Sequence, residues 1–120
     1  MRDPQIARGR TALAASEAGA RADLRPWDRV TGAAAVVRVY LSTPVAGSGE
    51  IFADVFVGGN LVAQNYLIPV EEFVGAGPNL RGMPIAARGG RGDSIQIVYR
   101  NSVAAVNNVD HHVEVHNAGR

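Results

Sequence analysis

Apolar and polar residues alternate along two stretches near the C-terminal end of the chain, residues 93–102 and 109–117. The first contains SIQIVYR and the second contains VDHHVEVH. A period of two is typical of a strand that buries one face, because successive side chains point to opposite sides of a sheet. The pattern predicts a strand in each stretch, and the same alternation recurs upstream as far as about residue 33.

Three further strands of this kind are predicted at residues 35–41, 51–57 and 61–68. Gly58-Gly59-Asn60 separates the last two and predicts a tight hairpin, since glycine and asparagine tolerate positive φ. Residues 71–74 are predicted to form a short strand or a helical turn. Loops are predicted at 45–49 and 75–79, while residues 80–88 stay ambiguous, with Met83 and Ile85 expected to pack.

Many short strands with frequent turns predict an all-β domain, either a small antiparallel β-sandwich or a jelly-roll-like barrel. The 14 glycines and six prolines suit such a chain, and 120 residues are enough for one domain. We assign the β-sandwich domain to residues 33–120.

Residues 1–32 have a different character, because they hold half of the arginines and few large apolar side chains. Thr11 can cap a short helix that runs to Ala22 or Leu24, and Pro26 would end it. We therefore predict an N-terminal arm over residues 1–32, which is either extended or a short helix and lies on its own domain or on a partner. The alternative is a solvated, partly disordered leader.

The strand at residues 51–57 carries large apolar side chains on both faces, Phe52 and Phe56 on one and Ile51, Val55 and Val57 on the other. A strand of this kind is covered on both sides. A loop, the N-terminal segment or another subunit can supply the second cover, and we favour an inter-subunit contact.

Composition excludes several kinds of chemistry. The chain has a net charge of +1 and contains neither cysteine nor lysine. Disulfides, thiolate metal sites, cysteine nucleophiles and Schiff-base lysines are therefore excluded. The small net charge gives no long-range attraction to nucleic acid or to an anionic membrane. No apolar run predicts a signal peptide or a membrane span, so we expect a soluble protein.

Asp110, His112, Glu114 and His116 alternate along one predicted strand and should share one face. Two histidines and a carboxylate could bind a divalent metal, but residues four apart on a strand are too distant for one ion without strong twist. We favour a solvated outer face, and the clustered histidines could also make an interface sensitive to pH. His111 should point the other way, into the core or an interface.

Other short patterns do not indicate an active site. Arg91-Gly92-Asp93 is an integrin-type tripeptide, but it is also common in turns that precede a strand. The glycine runs lack the spacing of a dinucleotide site, and Ser48 lies in a loop rather than a nucleophile elbow. Carboxylates are scattered, so we expect a non-enzymatic protein without catalytic residues, cofactor or metal.

The N-terminal segment is the predicted partner-binding element, because its mixed charges suit a protein surface better than nucleic acid. The candidate partner-binding residues are Ile6, Arg8, Arg10, Leu13, Arg21, Leu24, Arg25, Trp27 and Arg29.

An arm over residues 1–32 and a β body over residues 33–117 together resemble the small decoration or cement proteins of tailed bacteriophage capsids. The resemblance lies in the organisation of the whole chain. It implies a structural virion protein on the capsid exterior that binds the major capsid protein, or another virion shell protein, through its arm and one β face. It also implies a homo-oligomer, for which a trimer is one arrangement.

Two other classes stay open. A carbohydrate-binding or adhesion module would also be a small β-sandwich, but it would need exposed aromatic residues on one face. The aromatic residues Trp27, Tyr40, Tyr66 and Tyr99 are few and dispersed. A cupin-like enzyme would need histidines from different strands, whereas all three here lie on one predicted strand.

Overall fold

Two antiparallel sheets of four strands each form the core of the computed structural model, which describes residues 4–44, 50–70, 84–103 and 105–118. The strands are β1 (Gln5–Leu13), β2 (Ala20–Arg21), β3 (Ala34–Ser42), β4 (Ile51–Val57), β5 (Asn60–Leu67), β6 (Ile85–Gly90), β7 (Ile95–Asn101) and β8 (Asn107–Ala118). No helix occurs in these ranges. The predicted all-β class and the small antiparallel β-sandwich are confirmed.

Strand order places the longest strand at the centre of one sheet. Sheet A has the order β1-β8-β3-β6, and sheet B has the order β2-β7-β4-β5. On one side β8 pairs with the whole length of β1, and on the other side it pairs with β3. β8, which contains the second alternating stretch of the sequence, is therefore a central strand of sheet A.

The core lies between the two sheets and is built mainly from β-branched residues. Inward positions alternate along each strand, as the period of two requires. β8 contributes Val109, Val113 and Val115, each with no exposed area. Sheet B contributes Val55 and Ile97 of the same kind, together with Ala53 and Tyr99, all four at 0% exposure.

The N-terminal segment is part of both sheets, so of its two predicted forms, extended or a short helix, the structure shows extended strands. Residues Gln5–Leu13 form β1, and Ala20–Arg21 form β2 against β7. Further backbone bonds join the segment to the sandwich, including Val30 N to Asp93 O at 2.8 Å and Asn101 N to Glu17 O at 2.9 Å. An isolated short helix is marginal, whereas the free edge of β8 offers backbone partners along nine residues.

The boundary between arm and body at residue 32 is therefore not a structural boundary in the described part of the segment. Leu13, Leu24 and Val30 all lie in the same hydrophobic core as the later strands. Residues 4–32 are built into the sandwich instead of projecting from it.

Two of the turns between strands contain glycines with positive φ. Gly58 and Gly59 connect β4 to β5 with φ of 63° and 81°, which confirms the predicted hairpin. Arg91-Gly92-Asp93 forms the turn from β6 to β7, where Asp93 Oδ2 accepts a hydrogen bond from Gly90 N at 2.7 Å. The predictions for residues 45–49, for 71–79 and for Met83 lie outside the described residues.

Candidate functional site

The outward side of sheet A carries a large group of charged and polar side chains, and we call it the sheet A face. Residues in register on neighbouring antiparallel strands lie on the same side, so the pairings define its members. They are Ile6, Arg8 and Arg10 of β1, Asp110, His112, Glu114 and His116 of β8, Val36, Arg38 and Tyr40 of β3, and Ala86 and Arg88 of β6.

Two cross-strand rows form the middle of the sheet A face. Arg8, His112 and Tyr40 are in register in one row. Ile6, Glu114 and Arg38 are in register in the next. Each row therefore places an arginine from a neighbouring strand beside a polar residue of β8.

Glu114 holds the two histidines of the sheet A face. Its Oε2 lies 3.0 Å from His112 Nε2, and its Oε1 lies 2.9 Å from His116 Nε2. Burial alone would raise the pKa of the Glu114 carboxyl, but the hydrogen bonds and charges of His116 and His112 together lower it. Both carboxylate oxygens are thus engaged within the strand.

His112 differs from the predicted solvated outer position. Only 4% of the residue is exposed, and its ring packs edge-on against Tyr40 with centroids 5.8 Å apart. His116 is more open, with 37% of its side chain exposed. The alternation along β8 correctly places both histidines on one face. The sequence of β8 alone does not show that Tyr40 of the neighbouring strand packs against His112.

Arginines outnumber carboxylates on the sheet A face, four to two. Arg10 forms a bidentate pair with Asp110, Nε to Oδ1 at 2.6 Å and Nη2 to Oδ2 at 3.1 Å. The hydrogen bond to Asp110 raises the pKa of the Arg10 guanidinium. Arg38 and Arg88 are exposed and form no ion pair within the described residues. Among the described residues of the sheet A face, arginine is therefore in excess over carboxylate.

Three of the predicted partner-binding residues come together on this face. Ile6, Arg8 and Arg10 occupy successive outward positions of β1, and Ile6 is 44% exposed. Leu13 and Leu24 instead lie in the core, with 0% and 2% exposure. They occupy inward positions of the sandwich and cannot contact a partner, which corrects that part of the prediction.

The remaining predicted residues are dispersed. Arg21 pairs in register with Val98 on sheet B. Arg25 is held by Asp23 in a bidentate pair, and this hydrogen bonding lowers the pKa of Asp23 to about 2. Trp27 packs half-buried against the core, and Arg29 Nη1 donates to Gly92 O at 3.3 Å. These residues do not form one surface with Arg8.

Sequence reasoning missed Arg38, Arg88 and Tyr40 as members of the face. The alternation in the predicted strand at residues 35–41 places Arg38 opposite to the apolar valines, which is the one available signal. Their position beside β8 follows from strand order, which a single sequence does not contain.

A second polar group lies inside the sandwich. The hydroxyl of Tyr99 and both ring nitrogens of His111 are buried and make no hydrogen bond of ordinary geometry within the described residues. Burial lowers the pKa of His111, although the charges of Asp110 and Asp23 partly offset it. Burial also raises the pKa of Tyr99 above its ordinary value. The core environment of His111 thus favours the neutral form of its ring.

The described residues offer neither a metal site nor a membrane-spanning helix. They contain no group of three or more His, Asp or Glu side chains placed to hold a metal ion. In the same part of the chain, no helix is long and apolar enough to cross a membrane. Tyr99 is fully buried and Tyr40 is 9% exposed, so neither offers an aromatic surface.

Comparison with known proteins gives no family for this chain. No protein-family model matches it, and no curated protein or solved structure matches it significantly. The sheet A face is consequently interpreted from its own chemistry.

Proposed function

We propose that this protein is a non-enzymatic structural protein that binds an acidic protein surface through the sheet A face. The observation that supports the proposal most strongly is the pair of adjacent rows in which Ile6 and Arg38 flank Glu114 and Arg8 lies beside His112. In the specific form that we propose, the partner is the major capsid protein of a tailed bacteriophage. The chain would then decorate the exterior of that shell.

The chemistry of the face suits a protein partner with carboxylates. Arginine presents a planar fork of donors that binds carboxylates in a bidentate manner, and it is enriched at protein interfaces. Arg38 is exposed and has no ion pair among the described residues, so its guanidinium is available to bind a carboxylate of the partner. The exposed side chain of Ile6 adds an apolar contact beside it.

The architecture also favours binding without rearrangement. β1, β8 and β3 are paired along most of their lengths, so the arginines project from one continuous sheet. Side chains on a rigid sheet lose little backbone entropy on binding. A carbohydrate-binding or adhesion module is less favoured, since Tyr40 and Tyr99 are buried and Trp27 is half-buried.

Cosedimentation with shells assembled from the major capsid protein tests the proposal. Wild-type protein should sediment with the shells, and the double variant Arg8→Glu/Arg38→Glu should bind at least roughly tenfold more weakly. Arg91→Glu is the matched control, because Arg91 is an exposed arginine in the β6–β7 turn. Equal loss in the control, or binding to glycans instead of shells, would contradict the proposal.

A further inference from the structure

In the described part of the chain, β5 is an edge strand that carries neither the charges nor the proline that commonly prevent pairing. It lies at the end of sheet B and has β4 as its only neighbour strand in the described residues. Its sequence, NLVAQNYL, contains no charged residue and no proline. Natural edge strands are generally blocked by charges, by proline, by a β-bulge or by a covering segment, because their free backbone groups can pair with another strand. Of these, β5 has an irregularity in its pairing with β4.

β5 also carries exposed apolar side chains on the outer side of sheet B. Leu61 is 47% exposed and is in register with Phe56, and Leu67 is 53% exposed and is in register with Phe52. Both leucines therefore lie on one side, each beside a half-buried phenylalanine. This is the same side of β4 for which the sequence predicts a second cover.

The irregular middle of β5 is held in a defined shape. Asn65 has a positive φ of 51°, and its N–H donates to Asp54 Oδ1 at 2.9 Å. Arg100 Nη1 donates to Asp54 Oδ2 at 2.7 Å and Arg100 also contacts the Asn65 side chain. The hydrogen bonds from Asn65 and Arg100 lower the pKa of Asp54, so its charge is compensated next to the edge.

Charge favours a second copy of this chain as the occupant of the edge. Two uncharged β5 strands can approach each other without repulsion. The outer strands of sheet A differ, since β1 carries Arg8 and Arg10 and β6 carries Arg88, so like charges would meet in a pair of copies. β2, the other edge of sheet B, has only two residues.

The positions of the leucines fit a twofold arrangement. Leu61 and Leu67 are equally far in sequence from Gln64. In an antiparallel pair centred on Gln64, each Leu61 would meet the other copy's Leu67, and the two Gln64 residues would lie opposite each other. Such an isologous contact is the commonest form of a homodimer.

We propose that two copies of the protein dimerise by antiparallel pairing of their β5 edges, with Leu61 of one copy against Leu67 of the other. The contact uses sheet B and not the sheet A face. The dimer proposal can therefore fail or succeed independently of the proposed function. An eight-residue strand pair with two leucine contacts is small for an interface, and we expect a reversible dimer.

Disulfide trapping tests the pairing directly, because the chain contains no cysteine. In the variant Gln64→Cys the two thiols would face each other across the axis, and mild oxidation should convert most of the protein to a covalent dimer. Gln96→Cys is the matched control, since Gln96 is exposed on β7 within the same sheet and should stay largely monomeric. Equal crosslinking of both variants would overturn the proposal.

Charge exchange tests the leucine contact, with analytical ultracentrifugation as the readout and circular dichroism as the check on folding. Leu61→Glu or Leu67→Arg alone should weaken the dimer by roughly tenfold or more, because each places a charge against a leucine. The double variant Leu61→Glu/Leu67→Arg should recover most of the affinity through two new ion pairs. Val106→Glu, at an exposed apolar residue outside β5 and outside the sheet A face, should leave the dimer unchanged.

Two outcomes would overturn this inference. One is a wild-type protein that stays monomeric up to near-millimolar concentration. The other is a dimer that the Leu61 and Leu67 variants do not affect, or that the double variant does not restore beyond the single ones.

Discussion

His112 Nε2 lies 3.0 Å from Glu114 Oε2, two residues further along the same outward side of β8. Neighbours at this spacing on a flat strand are about 6.5–7 Å apart at their backbones, so the two side chains lean toward each other. The contact lies in the middle of the sheet A face, beside Arg8 and Arg38 in register.

The Glu114 contacts predict a defined dependence of stability on pH. The pKa of Glu114 is lowered in the fold, so its ionised form contributes stability above the ordinary glutamate pKa of about 4.3. That contribution is lost as the pH falls through the lower folded pKa. We expect Glu114→Gln to reduce the free energy of unfolding by about 1–2 kcal/mol at pH 7.

Urea unfolding at pH 7 and at about pH 3 measures this effect, with Glu50→Gln as the control at an exposed position. The difference between wild type and Glu114→Gln should shrink at the lower pH. A difference that is the same at both values would contradict the assignment.

His111 predicts a second pH dependence in a higher range. Its pKa is lowered by burial, so the unfolded chain takes up a proton on this ring at a higher pH than the fold does. The wild-type protein should therefore lose stability as the pH falls below about 6.5. His111→Leu removes this contribution, and its unfolding free energy should change less between pH 7.5 and pH 5. Parallel profiles for the two proteins would show that His111 does not titrate in this way.

Gly89 marks a close approach between the two sheets. A Cβ atom there would lie 2.8 Å from Val30 Cγ2 and 3.3 Å from Val57 Cγ1. We expect Gly89→Ala to destabilise the protein by about 1–3 kcal/mol through overpacking. Gly90→Ala is the control, since the nearest atom to its Cβ is Asp93 Oδ2 at 3.8 Å. Thermal unfolding of both variants measures the effect, and equal melting temperatures would refute the close contact.

Asn101 joins the N-terminal segment to the loop before β8. Its Nδ2 donates to Ala14 O and to Ala105 O, both at 3.0 Å, and its Oδ1 accepts from Val103 N at 3.0 Å. The residue is 1% exposed, so Asn101→Ala leaves three backbone groups without this partner.

We expect Asn101→Ala to cost about 2–4 kcal/mol of stability, because buried polar groups that lose a partner are expensive. Asn107→Ala is the control, since its amide makes only a 3.4 Å contact to Ala105 O. Chemical denaturation compares the two, and a loss below that of the control would contradict the role of Asn101.

Local patterns predicted most of the sandwich. The alternation in SIQIVYR and VDHHVEVH identified β7 and β8, and Gly58-Gly59 identified the β4–β5 hairpin. These features depend on neighbouring residues, so a sequence carries them directly.

β1 shows where sequence reasoning fails. Its residues, QIARGRTAL, have few large apolar side chains, and alanine and arginine favour helix. The strand forms because β8 offers a free edge more than 90 residues later in the chain. The same lack of a visible strand pattern leads to the expectation that Leu13 contacts a partner, although it packs in the core.

The net charge of the whole chain does not reveal the excess of arginine on the described part of the sheet A face. The net charge of +1 is small, yet four arginines meet two carboxylates on this one side of a sheet. Residues as distant as Arg8, Arg38 and Arg88 become neighbours only through strand order.

Hydrogen exchange of the isolated protein, read by mass spectrometry, is the most direct test. The central claim is that β1 is a permanent strand of sheet A, because that pairing places Ile6, Arg8 and Arg10 on the sheet A face. The account predicts that amides of residues 5–13 exchange slowly, as those of β3 do. Exchange of this segment at the rate of an unstructured peptide, while β3 stays protected, would contradict it.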